Sequence, residues 1–446
     1  NWMHMLEVRA KRNYDLRALG AAYLESAYAL NQSGDLEGAL SLDKEGLEHF
    51  KRIGDAKHES QARREIGDVL LRLGNPPKAL EYVLGGIEIA EAGEFKAHFV
   101  ASAYSLAGWI SLCQDARSQA EDAFQKAIQH WRELGRRDGV ARNIYSLGRM
   151  CLAKGNADGA RRWFEQALAV VGEEKLGMES RLLASILSGL EETYDAAEGF
   201  RALCRHFEEE HTENGDLAFI RLCLKPAGEG VLSRTPMHRY AFAESLEPDW
   251  FWEDPIGDCS VDVRNGLEIH AANGRDLWHM NLSAPRLLRV APSGDDLAVQ
   301  AVCSPVSDDV PTIGGLLLWK DQENYLRLDR GVRGEREISL QGCVDNRDMI
   351  IGRGRLLVPK SAASQTNGSL DRIWLQLERR GERARALCSA DGEEWFKVGK
   401  VAFPVDGPLQ IGLYAVGEID RSIYPGAYPN GTAIRFESFT LWGLDR

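Results

Sequence analysis

Cysteine pairs, long apolar runs and excess positive charge are all missing from this 446-residue sequence, and each absence excludes a class of function. The eight cysteines, Cys113, Cys151, Cys204, Cys223, Cys259, Cys303, Cys343 and Cys388, are scattered and include no C-x-x-C. That spacing suits buried thiols in a reducing compartment better than a disulfide framework or a zinc site. No unbroken apolar run is long enough to span a bilayer. A reducing compartment makes a cytoplasmic location the expectation. The formal net charge is -13, divided as -7 before Gly230 and -6 after it. Neither half is basic, which argues against nucleic acid or an anionic membrane as the partner. There is no G-x-S-x-G elbow, no kinase signature and no phosphate loop, because Gly314-Gly315 and Gly352-Arg353-Gly354 do not open helices. No motif calls for a cofactor.

What is present is repetition. Gly139 to Gly172 reads as a helix, a turn at Gly155-Asn156 and a second helix. Gly148, Ala160 and Ala167 let the two helices approach, and Leu147 and Phe164 fill the seam. The small residue of each second helix recurs as Ala39, Ala79, Ala120 and Ala160. Its partner on the first helix recurs as Ala27, Gly67, Gly108 and Gly148. The turn recurs as Gly34-Asp35, Gly74-Asn75, Asp115-Ala116 and Gly155-Asn156. One hairpin cannot bury its own apolar face, so such units must stack. The pattern resembles the tetratricopeptide repeat, with a period near 40 rather than the usual 34, as in arrays of bacterial signalling proteins and ATPase regulators. Trp2 to Leu6 aligns with Tyr82 to Gly86, so the chain is expected to begin in mid-repeat, with more protein upstream. From Ser180 to Cys223 the register decays into an expected capping unit.

After the breaker-rich Lys225-Pro226-Ala227-Gly228-Glu229-Gly230 the period shifts toward two. Strands are expected at 297–302, 314–319, 325–329, 337–341, 355–358, 373–379, 383–389, 395–401, 410–414 and 434–441. The series GGLLLWKDQENYLRLDRG, RIWLQLERRGERARALCSADGEEWFKVGK and IRFESFTLW resembles the concanavalin-A-like sandwich of domain-of-unknown-function family 1349. The expected architecture is therefore a multidomain α + β chain. A helical repeat solenoid spans 1–224, a linker 225–235 and an antiparallel β-sandwich of jelly-roll type 236–446.

In tetratricopeptide arrays the first helix of each pair lines the groove. The register places Tyr28, Arg64, Asp68, Arg72, Ser105, Trp109, Arg142, Tyr145 and Arg149 there. Arginine forks grip carboxylates and aromatics give flat contact, so an acidic or C-terminal peptide is the expected ligand. The competing reading is that these arginines pair with acids on neighbouring repeats. In the sandwich half, Trp250, Trp252 and Trp278 lie in irregular sequence and are the candidates for a carbohydrate platform. Core packing is the other explanation for large aromatics there. Glu418-Ile419-Asp420 matches part of the E-I-D-x-x-E strand motif of family 16 glycosidases, but the second glutamate is missing, so the match reads as chance. His270 and His279 complete no metal spacing, and the acidic turns at Asp295-Asp296, Asp308-Asp309 and Asp345 read as ordinary loops. The chain is thus expected to be a non-catalytic interaction scaffold and ligand sensor within a larger bacterial signalling or regulatory protein. A carbohydrate-binding protein and a glycoside hydrolase are the alternatives.

Overall fold

The computed structural model describes residues 16–95, 98–172, 186, 189–190, 220–223, 225–227, 234–242, 245–263, 266–292, 296–332, 334, 337–356, 372–404, 407–421, 423–424 and 426–444. The expected mid-repeat start and most of the expected capping unit lie outside them. The chain divides into two compact units. One comprises Asn1–Phe200 with Arg421–Pro429, the other Arg201–Asp420 with Asn430–Arg446.

The first unit contains α1 (Leu16–Ser33), α2 (Leu36–Ile53), α3 (Ala56–Arg72), α4 (Pro76–Ala92), α5 (His98–Cys113), α6 (Arg117–Glu133), α7 (Arg137–Ala153) and α8 (Ala157–Gly172). They pair as four hairpins in the register read from the sequence. Ala39, Ala79, Ala120 and Ala160 are all fully buried. The small residues of the first helices are required by close approach. A Cβ on Gly108 would stand 2.4 Å from Phe124, and one on Gly148 2.4 Å from Phe164. The apolar core of this unit runs from Ala27 through Phe50, Ile66, Val83 and Tyr104 to Ala127.

The turn inside each hairpin has a defined chemistry. Gly34, Gly74 and Gly155 adopt φ of 87°, 77° and 72°, which costs glycine little. The next residue caps the second helix. Asp35 accepts from Gly38 N–H at 2.9 Å, Asn75 from Lys78 N–H at 3.4 Å and Asn156 from Gly159 N–H at 2.9 Å. The third hairpin breaks both rules, with Asp115 at φ 56° and Ala116 making no side-chain cap. Ala116→Asn is therefore expected to stabilise the helical unit by about 1 kcal/mol. Urea titration followed by helical circular dichroism checks this, and no gain would mean the α6 N–H groups are already satisfied.

The second unit contains β1 (Ile220–Cys223), β2 (Lys225–Pro226), β3 (Arg234–Tyr240), β4 (Phe251–Glu253), β5 (Ser260–Val263), β6 (Leu267–Ala271), β7 (Arg286–Val290), β8 (Leu297–Ser304), β9 (Gly314–Asp321), β10 (Asn324–Arg330), β11 (Glu337–Val344), β12 (Arg347–Arg355), β13 (Ile373–Arg380), β14 (Arg383–Ser389), β15 (Trp395–Ala402), β16 (Gln410–Ala415) and β17 (Thr432–Leu444). One sheet runs β1-β12-β11-β10-β9-β16-β7-β4. The other runs β2-β15-β14-β13-β8-β17-β6-β5, with β3 also on β17. All pairings are antiparallel except β1 with β12. Alternate residues of both sheets, among them Leu326, Leu328, Leu340, Leu375, Ala386 and Phe439, fill one core, the alternation a two-layer sandwich demands.

Several elements depart from the sequence reading. Ile220–Cys223, expected at the end of the helical solenoid, is a strand that pairs with β12, and β3 to β7, between 234 and 290, are not among the expected strands. Lys225-Pro226, expected to be linker, pairs as an edge strand with Phe396 and Lys397, a place where a proline is tolerated. The strand expected at 355–358 begins earlier, as β12. It follows β11 through Asp345-Asn346, both at positive φ (51° and 57°). That two-residue hairpin turn lacks the usual glycine signature, which hid it from sequence reading.

Candidate interaction face of the repeat array

The helical unit presents one repeat position four times on its first helices. Tyr28, Asp68, Trp109 and Arg149 lie 40, 41 and 40 residues apart, on α1, α3, α5 and α7. Tyr28 is 62% exposed and the other three are half-buried. Trp109 stands edge-on to Phe124, with ring centroids 4.9 Å apart, so its position is set by packing. Arg142 is exposed. Other expected groove residues are engaged within the unit. Tyr145 is buried, its ring tilted against Phe164 at 5.5 Å. Arg72 donates to the Asn31 side-chain oxygen and, at 3.3 Å, to the Asn31 carbonyl. Ser105 accepts the Trp131 indole N–H at 3.2 Å. Arg64 is ion-paired with Glu65. Arg64 and Arg72 are thus engaged within the helical unit, Arg64 with an acid on its own helix and Arg72 with an amide of the preceding hairpin rather than with acids of neighbouring repeats.

The sequence reading passed over Asp43. It is 3% exposed and occupies the position in α2 that Val83, Phe124 and Phe164 hold in the later second helices. The charges acting on it all come from α3. Burial and then Glu65 push its carboxyl up to about 8, Asp68 adds to the rise, and Arg64 opposes it. Burial by itself would lower the Arg64 pKa, but Glu65, Asp68 and Asp43 outweigh it and raise the value. The signal was available as a charged residue in a register otherwise apolar.

In the sandwich unit one of the three expected platform residues belongs to the core. Trp250 is only 8% exposed and packs against Tyr240, Phe242 and Phe439 at 5.3, 6.0 and 5.1 Å. It belongs to the core, because β3 and β17 close around it. Trp252 is half-buried against the same core. Trp278 is half-buried, and the Arg327 guanidinium lies 5.8 Å from its ring. The β10 face opposite the core is polar yet closed. Arg327 donates to Asp276 at 2.8 Å and to the Leu277 carbonyl at 2.7 Å. Asp329, fully buried, accepts from Ser339 at 2.8 Å, Gln341 at 3.2 Å and Tyr414 at 2.8 Å. Burial raises the Asp329 pKa, and Arg327 followed by these hydrogen bonds oppose the rise. Most polar atoms of the network are paired within it, while Arg327 Nε makes no hydrogen bond and lies 3.4 Å from Asp329 as an ion pair.

His279 pairs with Asp348 at 2.8 Å and His270 lies 3.8 Å from Glu268, so the two histidines do not converge. Glu418-Ile419-Asp420 follows β16 as a loop and not as the strand that the glycosidase motif occupies. Among the described residues Asp254, Asp258 and Cys259 bring ligand-type atoms within 4.8 Å of one another. Protein donors already engage them. Asp254 accepts from Gly257 and Cys259 N–H at 2.9 and 2.7 Å, and Asp258 holds Arg275 at 2.9 Å. Burial pushes the Cys259 thiol up to about 12, so it keeps its proton at neutral pH. No described helix is long and apolar enough to cross a membrane.

Residues 99–173 match the tetratricopeptide repeat family. That span covers α5 to α8, half of the described hairpins. No curated protein matches the sequence. Among solved structures, BtubC (BKLC) from P. vanneervenii is 22% identical, with a TM-score of 0.42 over 48% of this chain and 90% of its own. The GH43 protein BlXynB from Bacillus licheniformis is 13% identical, with a TM-score of 0.37 over 46% of this chain. This chain covers only 39% of that protein. A Rap protein complexed with competence and sporulation factor is 12% identical, with a TM-score of 0.37 over 46% of this chain and 55% of its own. At these scores the likenesses carry no argument about function.

Proposed function

We propose that the chain is a non-catalytic protein-interaction scaffold that takes a peptide along the first-helix face of its repeat array. The observation that carries this reading is the ladder Tyr28, Asp68, Trp109 and Arg149. One repeat position is kept at least partly exposed on each first helix, with aromatic or charged side chains, while the residues just before and after it in sequence are small or apolar. Stacked repeats commonly use such extended faces for binding, and the tetratricopeptide match supports it. Arg142 and Arg149 give the far end of the face a preference for acidic residues. The finer assignments belong to the same proposal. A place in a bacterial signalling or regulatory protein and kinship of the sandwich with family 1349, as a ligand-sensing or structural domain, rest on resemblance, and a cytoplasmic location rests on the scattered, unpaired thiols.

The test is selection of a displayed random-peptide library on the immobilised full chain, followed by calorimetric titration of the selected peptides. Tyr28→Ala combined with Arg142→Glu should weaken binding about tenfold or more, with circular dichroism unchanged because both side chains are exposed. Selected peptides that bind this variant as they bind the unaltered chain would place the site elsewhere.

A further inference from the structure

We infer that the end of the fourth hairpin holds a pocket for a small organic phosphate monoester, its phosphate gripped by Arg132, Arg136 and Arg137 and its aliphatic body laid on Val140 and Val170. The last turn of α6, the first turn of α7 and the last turn of α8 enclose a cavity of about 340 Å³ there. That is the lower end of the range that takes a small molecule, about 300–1,000 Å³. Its lining carries three guanidinium groups and no carboxylate, on a chain whose net charge is -13. Arg132, Arg136, Arg137 and Ala169 are exposed, while Val140 is buried and Val170 half-buried. The repeat does not require this composition. At the preceding junction Glu91 and Phe95 hold the positions of Arg132 and Arg136, and before that Lys51 and Asp55. Phe95 packs against the apolar core of the helical unit. Arg136 instead donates twice to Asp138, at 3.0 and 2.8 Å, and its junction keeps a cavity.

Arginine forks bind phosphate and carboxylate through paired N–H···O bonds. A phosphate monoester offers three terminal oxygens and a charge of about −1.5 to −2 at neutral pH. A carboxylate offers two oxygens and a single charge, so the phosphate is the better match to three guanidinium groups. The apolar wall favours a hydrocarbon body over inorganic phosphate. The site is independent of the proposed peptide face. At about 3.6 residues per turn, Arg137 and Val140 lie on roughly the opposite side of α7 from Arg142 and Arg149. The volume suits a small molecule rather than a peptide chain.

Calorimetric titration of the full chain with n-butyl phosphate, inorganic phosphate and butyrate tests this. n-Butyl phosphate should bind more tightly than inorganic phosphate, by about fourfold for each methylene buried, and more tightly than butyrate. Arg132→Gln should weaken it about tenfold. Ala169→Glu, which sets a carboxylate at the wall, should abolish it. Both side chains are exposed, so circular dichroism should not change. Arg117 is a surface arginine outside the cavity, and Arg117→Gln should bind as the unaltered chain does. The inference is overturned by no binding up to about 10 mM n-butyl phosphate, by equal affinity for inorganic phosphate, by tighter binding of butyrate, or by binding that Arg132→Gln and Ala169→Glu leave unchanged. A phosphoserine peptide bound more tightly than n-butyl phosphate would overturn the small-molecule assignment.

Discussion

Arg327→Leu should lower the stability of the sandwich unit by about 3–5 kcal/mol. Arg327 is 2% exposed and joins Asp276, the Leu277 carbonyl and the Asp329 side of the network. Its guanidinium also lies over Trp278. Removing it leaves the Asp276 carboxylate and the Leu277 carbonyl without that donor. It also leaves Asp329 buried without a neighbouring positive charge. A half-satisfied buried network costs more than an apolar one. Urea unfolding of the full chain followed by tryptophan fluorescence reads the effect, since the sandwich half carries seven tryptophans, Trp250, Trp252, Trp278, Trp319, Trp374, Trp395 and Trp442. A loss below about 1 kcal/mol would show that these groups behave as solvated ones.

Asp43→Asn should make the helical unit more stable than the unaltered chain, by an amount that grows with pH. Burial holds the folded-state carboxyl at about 8, against 3.8 for the free group. A raised folded-state pKa means that the folded chain binds the extra proton between those values. The stability tied to that proton is fully present below about pH 3.8 and is lost as pH rises through 8. The asparagine variant lacks this loss. The gap between the two proteins should open from about pH 4, widen to about pH 8 and flatten above it. Its upper limit is on the order of 6 kcal/mol, at about 1.4 kcal/mol per pKa unit. Urea midpoints of the helical circular dichroism signal at pH 5, 7 and 9 check it. A constant gap across that range would show that Asp43 is ionised in the folded chain at all three values.

The repeat array was legible because one physical constraint is written several times. Ala39, Ala79, Ala120 and Ala160 must be small for helices to touch, and a glycine before an Asp or Asn must end one helix and cap the next. A period of 40 or 41 residues carries that constraint whatever lies between. The strands were legible for a similar reason, since side chains on a two-sided sheet alternate between core and exterior. The hairpin at Asp345-Asn346 escaped because positive φ at both turn positions was supplied without glycine.

The sequence by itself therefore determined the repeat helices, most strands from Leu297 onward and the small residues that mark the helix contacts. Tertiary structure decided which polar and aromatic side chains are available. Tyr28 and Tyr145 were both read as groove residues, yet one is exposed and the other buried against Phe164. Trp250 sits in sequence that looks like a loop, yet three aromatics from β3, the turn after it and β17 enclose it. Arg64 looks like a ligand-binding cation until its neighbours on α2 and α3 prove to be acids. Local pattern reports the period at which a side chain repeats. Its exposure and its partners depend on elements brought together from elsewhere in the chain, and no local window contains them.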